Sequence, residues 1–162
     1  MIKKDKIVIG RSDIIDLPDF AISNIKAKID TGAYTSSIHC STPQIIGKKH
    51  KKISFYILSK DESKNTLFVS DQFSERNIKN SFGQTERRFI IKTKVFIFGK
   101  EIETEFSLSN RANMKHPILL GRKFLKPRFI VDVTKFNLSY KKKRKRKNLN
   151  QLKQSGSNLK LE

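Results

Sequence analysis

The sequence predicts an all-β fold, a closed barrel or orthogonal sandwich with one or two short helices, and three observations carry that expectation. Short segments rich in β-branched and aromatic residues follow closely on one another, many alternating apolar with polar side chains. Turn residues separate them, and Phe98-Gly99-Lys100 reads as a hairpin turn between two of the longest. Helix signals are few. In chain order the strands are expected at Lys6 to Ile9, Ile25 to Ile29, Ile53 to Leu58, Thr66 to Val69, Arg88 to Phe98, Ile102 to Leu108, Ile118 to Leu120 and Phe129 to Val133. A short helix is expected from Arg122 to Lys126, and one helical turn near Asn110 to Met114, which Pro117 closes off. No internal repeat is visible.

Composition bounds the domain count and the setting. With 162 residues, 36% of them hydrophobic, the chain can bury one core but not two. One domain is expected over residues 1–140, followed by a basic, disordered tail over 141–162. The single cysteine, Cys40, excludes an internal disulfide and suits a reducing cytoplasm. Neither a signal sequence at the N-terminus nor a membrane-spanning run is visible, so the expected location is cytoplasmic, with no membrane partner. The formal net charge is +20, of which the last 22 residues contribute +8 and the body about +12. Lys141 to Lys147 is an unbroken run of cations that repels itself, which is the reason for expecting disorder there. Such a tail either solubilises the chain or contacts RNA, a ribosome or an acidic polypeptide.

Chemistry is concentrated in Asp30-Thr31-Gly32-Ala33, which follows the alternating run Ile25 to Ile29 and so sets a carboxylate on a tight turn directly after a strand. Gly32 would allow a close backbone approach and an unusual dihedral, and its N–H and that of Ala33 can hydrogen-bond the carboxylate. Thr31 would turn inward and brace the turn. Late in the chain, Pro117-Ile118-Leu119-Leu120-Gly121-Arg122 supplies a short apolar strand, a glycine and a helix start. Together these resemble the two halves of an aspartic-protease site, in which the apolar strand passes beside the catalytic turn and the glycine makes room for it.

With these halves the chain resembles the retropepsin-like fold, and more closely the family often labelled "ATP-dependent zinc protease", whose genes accompany RimK-type glutamate ligases. Three segments carry the likeness. Ile25 to His39 looks like the family's Ile-Lys-Ala-Lys-Val-Asp-Thr-Gly-Ala-x-Thr-Ser-x-Leu-His signature. Arg76 to Arg88 is similar to its Arg-x-Val-x-x-Ser-x-Gly-x-x-Glu-x-Arg block, and Ser107 to Met114 running into Leu119 to Arg122 is similar to its Leu-x-x-Arg-x-x-Met…Leu-Leu-Gly-Arg block. The resemblance covers about Ile9 to Tyr140 and implies a retropepsin-like closed barrel. The segment Thr42 to Asn80 is longer than in the shortest retropepsins, so extra strands or a long loop are expected there.

The resemblance implies a peptidase with Asp30, Thr31 and Gly32 as catalytic residues. Aspartic-protease hydrolysis needs two aspartates sharing one proton. The chain has one Asp-Thr-Gly, and Asp132, the other strand aspartate nearby, is not followed by Thr-Gly. The second carboxylate must therefore come from a second copy, which makes a homodimer the expected partner. Ser81 and Gly83 sit where a substrate-covering flap would be. Arg76, Glu86 and Arg88 form a salt-linked frame for that flap, or else Arg76, Arg88, Arg111 and Arg122 present forks to substrate carboxylates. Ala33 is included among the substrate-binding residues. Relatives near RimK-type ligases imply a substrate such as the oligoglutamate tail of a ribosomal protein, and the +20 charge suits an acidic polypeptide.

No cofactor is expected. His-Glu-x-x-His, Cys-x-x-Cys and the Gly-x-x-x-x-Gly-Lys-Ser/Thr nucleotide loop are all missing, and His39, His50 and His116 are scattered. His39-Cys40 could supply two zinc ligands if the fold brought others near, and Cys40 is also weighed as a thiol nucleophile. The alternative function is a non-catalytic module that binds acidic peptide or ribosomal RNA.

Overall fold

The computed structural model describes residues 5–58, 65–80, 82–110 and 115–158. Its elements run β1 (Ile7–Ile9), β2 (Ser12–Leu17), a 3₁₀ turn (Pro18–Phe20), β3 (Ile22–Ile29), β4 (Ser36–His39), β5 (Gln44–Ile46) and β6 (Lys52–Ile57). They continue with β7 (Thr66–Ser70), β8 (Phe73–Lys79), β9 (Thr85–Ile97), β10 (Lys100–Ser109), β11 (Ile118–Leu120), α1 (Arg122–Leu125), β12 (Phe129–Val131) and α2 (Leu138–Asn158). The all-β, retropepsin-like expectation holds. Every strand read from the sequence is present, with ends shifted by three residues at most; β2, β4, β5 and β8 are additions.

Two long strands close the sheet. β9 alternates, burying Ile91, Thr93, Val95 and Ile97, and turns into β10 through Phe98 and Gly99, both at positive φ (49° and 71°). That pair of signs is the hairpin turn whose twist matches the strands. Phe98 is held in this unfavourable conformation by donating its N–H to Ser139 Oγ at 2.8 Å and by packing on Phe129 at 5.9 Å. Hydrogen bonding then passes in the order β10-β4-β11-β3-β2-β9, and β9 pairs back onto β10, so the strands form a ring, with β8 attached outside on β9. β11 is the tight point: it is parallel to β3, antiparallel to β4, and wholly buried.

The extra segment between Thr42 and Asn80 builds β5, β6 and β7, a three-stranded sheet, and then β8. β6 turns Ile53, Phe55 and Ile57 inward, and Phe68 of β7 packs between Phe55 and Phe20 at 5.1 and 4.2 Å. A bridge between Cys40 and Ile57 ties this layer to the end of β4. α1 forms as expected, while Arg111 to Met114 of the second expected helical turn lie outside the described residues. Among the described residues no helix is long and apolar enough to cross a membrane.

The tail departs from expectation. Of the residues read as disordered, 141–158 belong to α2, which starts at Leu138, so the boundary drawn at 140 falls inside a helix, while 159–162 lie outside the described residues. Lys and Arg are good helix formers, and the body supplies countercharges. Buried Asp13 accepts hydrogen bonds from the first-turn N–H groups of Ser139 and Tyr140 at 3.0 and 3.1 Å, while also accepting from Ile14 at 2.8 Å. A carboxylate on β2 thus caps a helix far away in sequence. One turn later Lys143 Nζ contacts both oxygens of Asp16 at 2.8 and 2.6 Å. Burial pushes the Asp13 pKa up, and the backbone donors of Ser139, Ile14 and Tyr140 pull it back.

Asp13→Ala therefore leaves three N–H groups without their acceptor and should cost about 1–3 kcal/mol. Urea unfolding gives the cost, and amide exchange at Ser139 and Tyr140 should accelerate selectively; unchanged exchange there would refute the capping role.

Candidate active site

The Asp30 turn is built from three strands meeting at one point. β3 delivers Asp30, whose N–H donates to Leu120 O of β11 at 2.9 Å. The chain then turns so that the N–H groups of Gly32 and Ala33 donate to Asp30 Oδ1 at 2.9 and 3.2 Å. A Cβ on Gly32 would lie 3.2 Å from Oδ1, so the glycine contributes room; its φ is not left-handed, contrary to the expectation of an unusual dihedral. Thr31 is exposed in the single chain rather than turned inward. Asp30 is half-buried, with one oxygen locked and Oδ2 without a hydrogen bond from the described residues.

Gly121 secures the turn from the other side. A Cβ there would meet Thr35 C at 2.8 Å and the carbonyl oxygens of Ala33 and Thr35 at 2.9 Å. All three are backbone atoms. The Gly121 N–H donates to the buried Ser36 Oγ at 3.1 Å, while the N–H groups of Arg122 and Lys123 donate to Ala33 O and Tyr34 O at 2.8 and 3.0 Å. Arg122 then folds its guanidinium back to donate to Thr31 O at 3.0 Å and lies 5.9 Å from the Tyr34 ring. The two sequence halves, Asp30 to Ala33 and Leu120 to Arg122, are thus joined as expected.

β8 and β9 form the hairpin proposed as a flap. Its turn is organised by Asn80, whose Oδ1 accepts from Phe82 and Gln84 N–H at 3.0 and 2.9 Å, and by Gly83 at φ 80°. Phe82 stands 90% exposed at the tip. Ser81 lies outside the described residues, as does Arg111. The expected Arg76–Glu86–Arg88 frame is split. Arg76 and Arg88 are register partners across the strands, and each takes a different carboxylate. Arg88 pairs with Glu86 at 2.7 Å, and Arg76 forks onto Glu105 of β10 at 2.7 and 2.9 Å.

Glu105 was not singled out by the sequence reading, and it is the electrostatic hub of this region. It also accepts from Lys123 Nζ at 2.8 Å, so one carboxylate ties the base of the hairpin to α1, one residue from the arginine that clasps Thr31. Arg76 and Lys123 hold its carboxyl down at a pKa of about 2. A sequence signal existed: Glu101, Glu103 and Glu105 alternate along β10, with Lys94 and Lys92 opposite the last two. Ser36 and Tyr34 were legible only as part of the signature run.

Other candidates fall away from the turn. Asp132 is engaged by the N–H and hydroxyl of Thr134, at 3.0 and 2.6 Å, and by Lys135 at 3.3 Å, which lower its pKa. Cys40 is fully buried, and burial pushes its thiol up to about 12, which suits neither a nucleophile nor a metal-bound thiolate. Among the described residues no three His, Cys, Asp or Glu side chains gather, so the residues around His39 and Cys40 do not fit a zinc site.

A family model described as RimB-like, the retropepsin-like aspartic endopeptidase RimB, matches residues 8–142. A protein named probable alpha-L-glutamate ligase from Desulfotalea psychrophila is 35% identical over 130 residues, covering 78% of this chain and 28% of its own length. One of the same name from Shewanella pealeana is 31% identical over 131 residues, covering 79% and 29%. This chain thus matches less than a third of these curated relatives. The crystal structure of Lpg0085, a protein of unknown function (DUF785) from Legionella pneumophila, superposes with a TM-score of 0.68 at 22% identity, over 83% of this chain and 99% of that one, and so shares the fold.

Gly121→Ala should cost about 1–3 kcal/mol in urea unfolding, since the backbone at Ala33 and Thr35 must move to admit the methyl group; wild-type stability would refute the tight approach. Glu105 has a folded pKa near 2 against an ordinary 4.5. Its stabilisation is present above the ordinary value and lost as pH falls toward the folded one. The melting temperature of Glu105→Gln should lie below wild type at neutral pH and converge with it between about pH 4.5 and 2; a gap constant over that range would contradict the assignment.

Proposed function

The chain belongs to the RimB-like, retropepsin-like aspartic endopeptidase family, and from that premise we propose that it is an aspartic peptidase whose catalytic dyad is two copies of Asp30 in a homodimer, acting on oligoglutamate tails. The observation that carries the reading is the Asp30 carboxylate itself. Oδ1 is fixed by two backbone N–H groups and Oδ2 is left open, on a turn held by Leu120 and Gly121. A carboxylate held this way has one orientation, which is what a reaction needing two aligned acids requires.

In the dimer the two carboxyls lie across the two-fold axis and share one proton, because charges that close cannot both ionise. The ionised Asp30 takes a proton from a water as its oxygen attacks the scissile carbonyl carbon. The protonated Asp30 gives its proton to the carbonyl oxygen. Collapse of the tetrahedral species breaks the C–N bond: the proton taken from water passes to the departing nitrogen, and a hydroxyl of the tetrahedral species returns its proton to the other Asp30 as the new carboxyl group forms, which restores the singly protonated pair. The pair titrates as a unit. Thr31, exposed in the single chain, is available to meet its symmetry mate at the axis, and the β8–β9 hairpin covers the substrate, anchored through Arg76 and Glu105.

The acidic substrate is supported by charge and by context. A +20 chain draws polyanions. The curated relatives, named as probable alpha-L-glutamate ligases, contain a segment like this one within a much longer chain, which suits a peptidase acting on the product of glutamate ligation. Arg122, close to the Asp30 turn, is suited to substrate carboxylates, and Arg76, Arg88 and Arg111 are the further candidates.

Cleavage of an oligoglutamate-tailed peptide should fall by about a thousandfold or more in Asp30→Asn, with peptide binding retained. Adding excess Asp30→Asn to wild type should depress activity beyond simple dilution, because mixed dimers carry one carboxyl. Full activity in Asp30→Asn would overturn the aspartic mechanism. Binding without cleavage by wild type would favour the binding module.

A further inference from the structure

Helix α2 carries a charge pattern that the peptidase reading does not use. The family match stops at residue 142, and the rest of α2, to Asn158, lies beyond it. Its first turns are fastened to the body by Asp13, by Ser139 and by Lys143, which pairs with Asp16 and donates to Asn24 Oδ1 at 3.1 Å. Among the described residues Lys143 is the one cation of the run from Lys141 to Lys147 that is ion-paired. Helical periodicity then puts Arg144, Lys145 and Asn148 on the side away from the body, while Lys141 at the start of the run is exposed with its ammonium over the Phe136 ring at 4.5 Å.

Beside this helix, β3 buries Ala27 and Ile29 and turns Lys26 and Lys28 outward. Their register opposite Ile14 and Ser12 sets them on the same outer face as Asp16, where α2 is fastened. The result is one surface with cations from two elements and few carboxylates.

The charge density identifies the class of partner. Consecutive cations on a helix supply one charge per ~1.5 Å of axis spread around its circumference, and with Lys143 paired to Asp16 the rest still give a field dense enough to match a polyanion with one phosphate per ~1.7 Å, as in a nucleic-acid duplex. A membrane is a poor fit: on the exposed run 141–157 the apolar side chains are Leu149 and Leu152 alone, too few for a buried stripe. Past the cations come Asn148, Asn150, Gln151, Gln154, Ser155 and Ser157, neutral donors and acceptors of the kind that hydrogen-bond sugar hydroxyls. The cationic end lies against the sheet, so a deep groove cannot close around it as B-form DNA does around a recognition helix. A-form RNA instead offers a wide, shallow minor groove with phosphates and 2′-hydroxyls reachable from a flat surface. The geometry points to double-stranded RNA as the ligand of this face, with Lys26, Lys28, Lys141, Arg144 and Lys145 contacting phosphate.

The test uses the full chain and fluorescence anisotropy with a labelled RNA duplex, the DNA duplex of the same sequence, and an oligoglutamate peptide. RNA should bind with Kd on the order of 1–100 μM at physiological salt, more tightly than either comparison ligand. Replacing Lys141, Arg144 and Lys145 together by Gln should lower the slope of log affinity against log salt by about 3. Should that variant lose helicity by circular dichroism, Lys26→Gln with Lys28→Gln on β3 serves instead, with an expected drop of about 2. Asp30→Asn should bind RNA like wild type, which separates this inference from the peptidase reading. Equal binding of DNA, tighter binding of oligoglutamate, or an unchanged slope in the folded variants would each overturn it.

Discussion

The fold depends on a slot one backbone wide. β11 passes between β3 and β4, and at its end Gly121 approaches the Ala33 to Thr35 backbone more closely than any side chain permits. Leu120 O takes the N–H of Asp30, and Ala33 O takes that of Arg122, so the strand end and the turn position each other reciprocally. Because Ile118, Leu119 and Leu120 are buried, the apolar packing that holds the ring together is also what fixes the Asp30 carboxylate. Stability of the core and orientation of the acid are one constraint, and both pass through a residue with no side chain.

Around that slot the few carboxylates are placed economically. The chain has 15 acids against 35 lysines and arginines, so a cation without a partner is the ordinary condition and each acid at a junction matters. Asp13 caps α2, Asp16 meets Lys143, and Glu105 binds Arg76 and Lys123. Each joins elements distant in sequence. An exposed ion pair contributes little, but Asp13 is buried and Glu105 mostly shielded, so their hydrogen bonds are worth more than the same contacts in water. These junctions give a strongly self-repelling chain its defined joints.

Legibility in the sequence followed how local each cause was. The strands from Ile53, Thr66 and Ile118, the Phe98-Gly99 turn and the α1 start are set by adjacent residues, and all were readable. β2 was hidden because its inward face carries Asp13, which breaks the apolar alternation for the sake of a helix 126 positions away. β8 was hidden because an edge strand with Glu75, Arg76, Asn77 and Lys79 has almost no apolar signal, only pairing to β9. At the site, Asp30 to Ala33 and Gly121 were visible as motifs, whereas the binding of Arg76 to Glu105 rather than Glu86 depends on three-dimensional register. The α2 helix was missed because repulsion along Lys141 to Lys147 was weighed without Asp13 and Asp16, which answer it from β2.

In the proposed dimer each chain supplies one carboxylate and so half of the site, and this constrains more than mechanism. Asp30 Oδ1 is satisfied from within the chain while Oδ2 takes no hydrogen bond from the described residues, and Thr31, Tyr34 and Phe82 beside the turn and at the hairpin tip are exposed. In a single chain the Tyr34 and Phe82 rings stand in water and gain no burial. For a symmetric dimer the same features are the contact surface, since in a two-fold interface each group meets its own copy or a fixed complement. Two ionised Asp30 carboxylates on the axis would repel, so the pair must hold a proton to come together. In the proposed dimer, assembly and readiness for acid–base chemistry would then be linked to one proton.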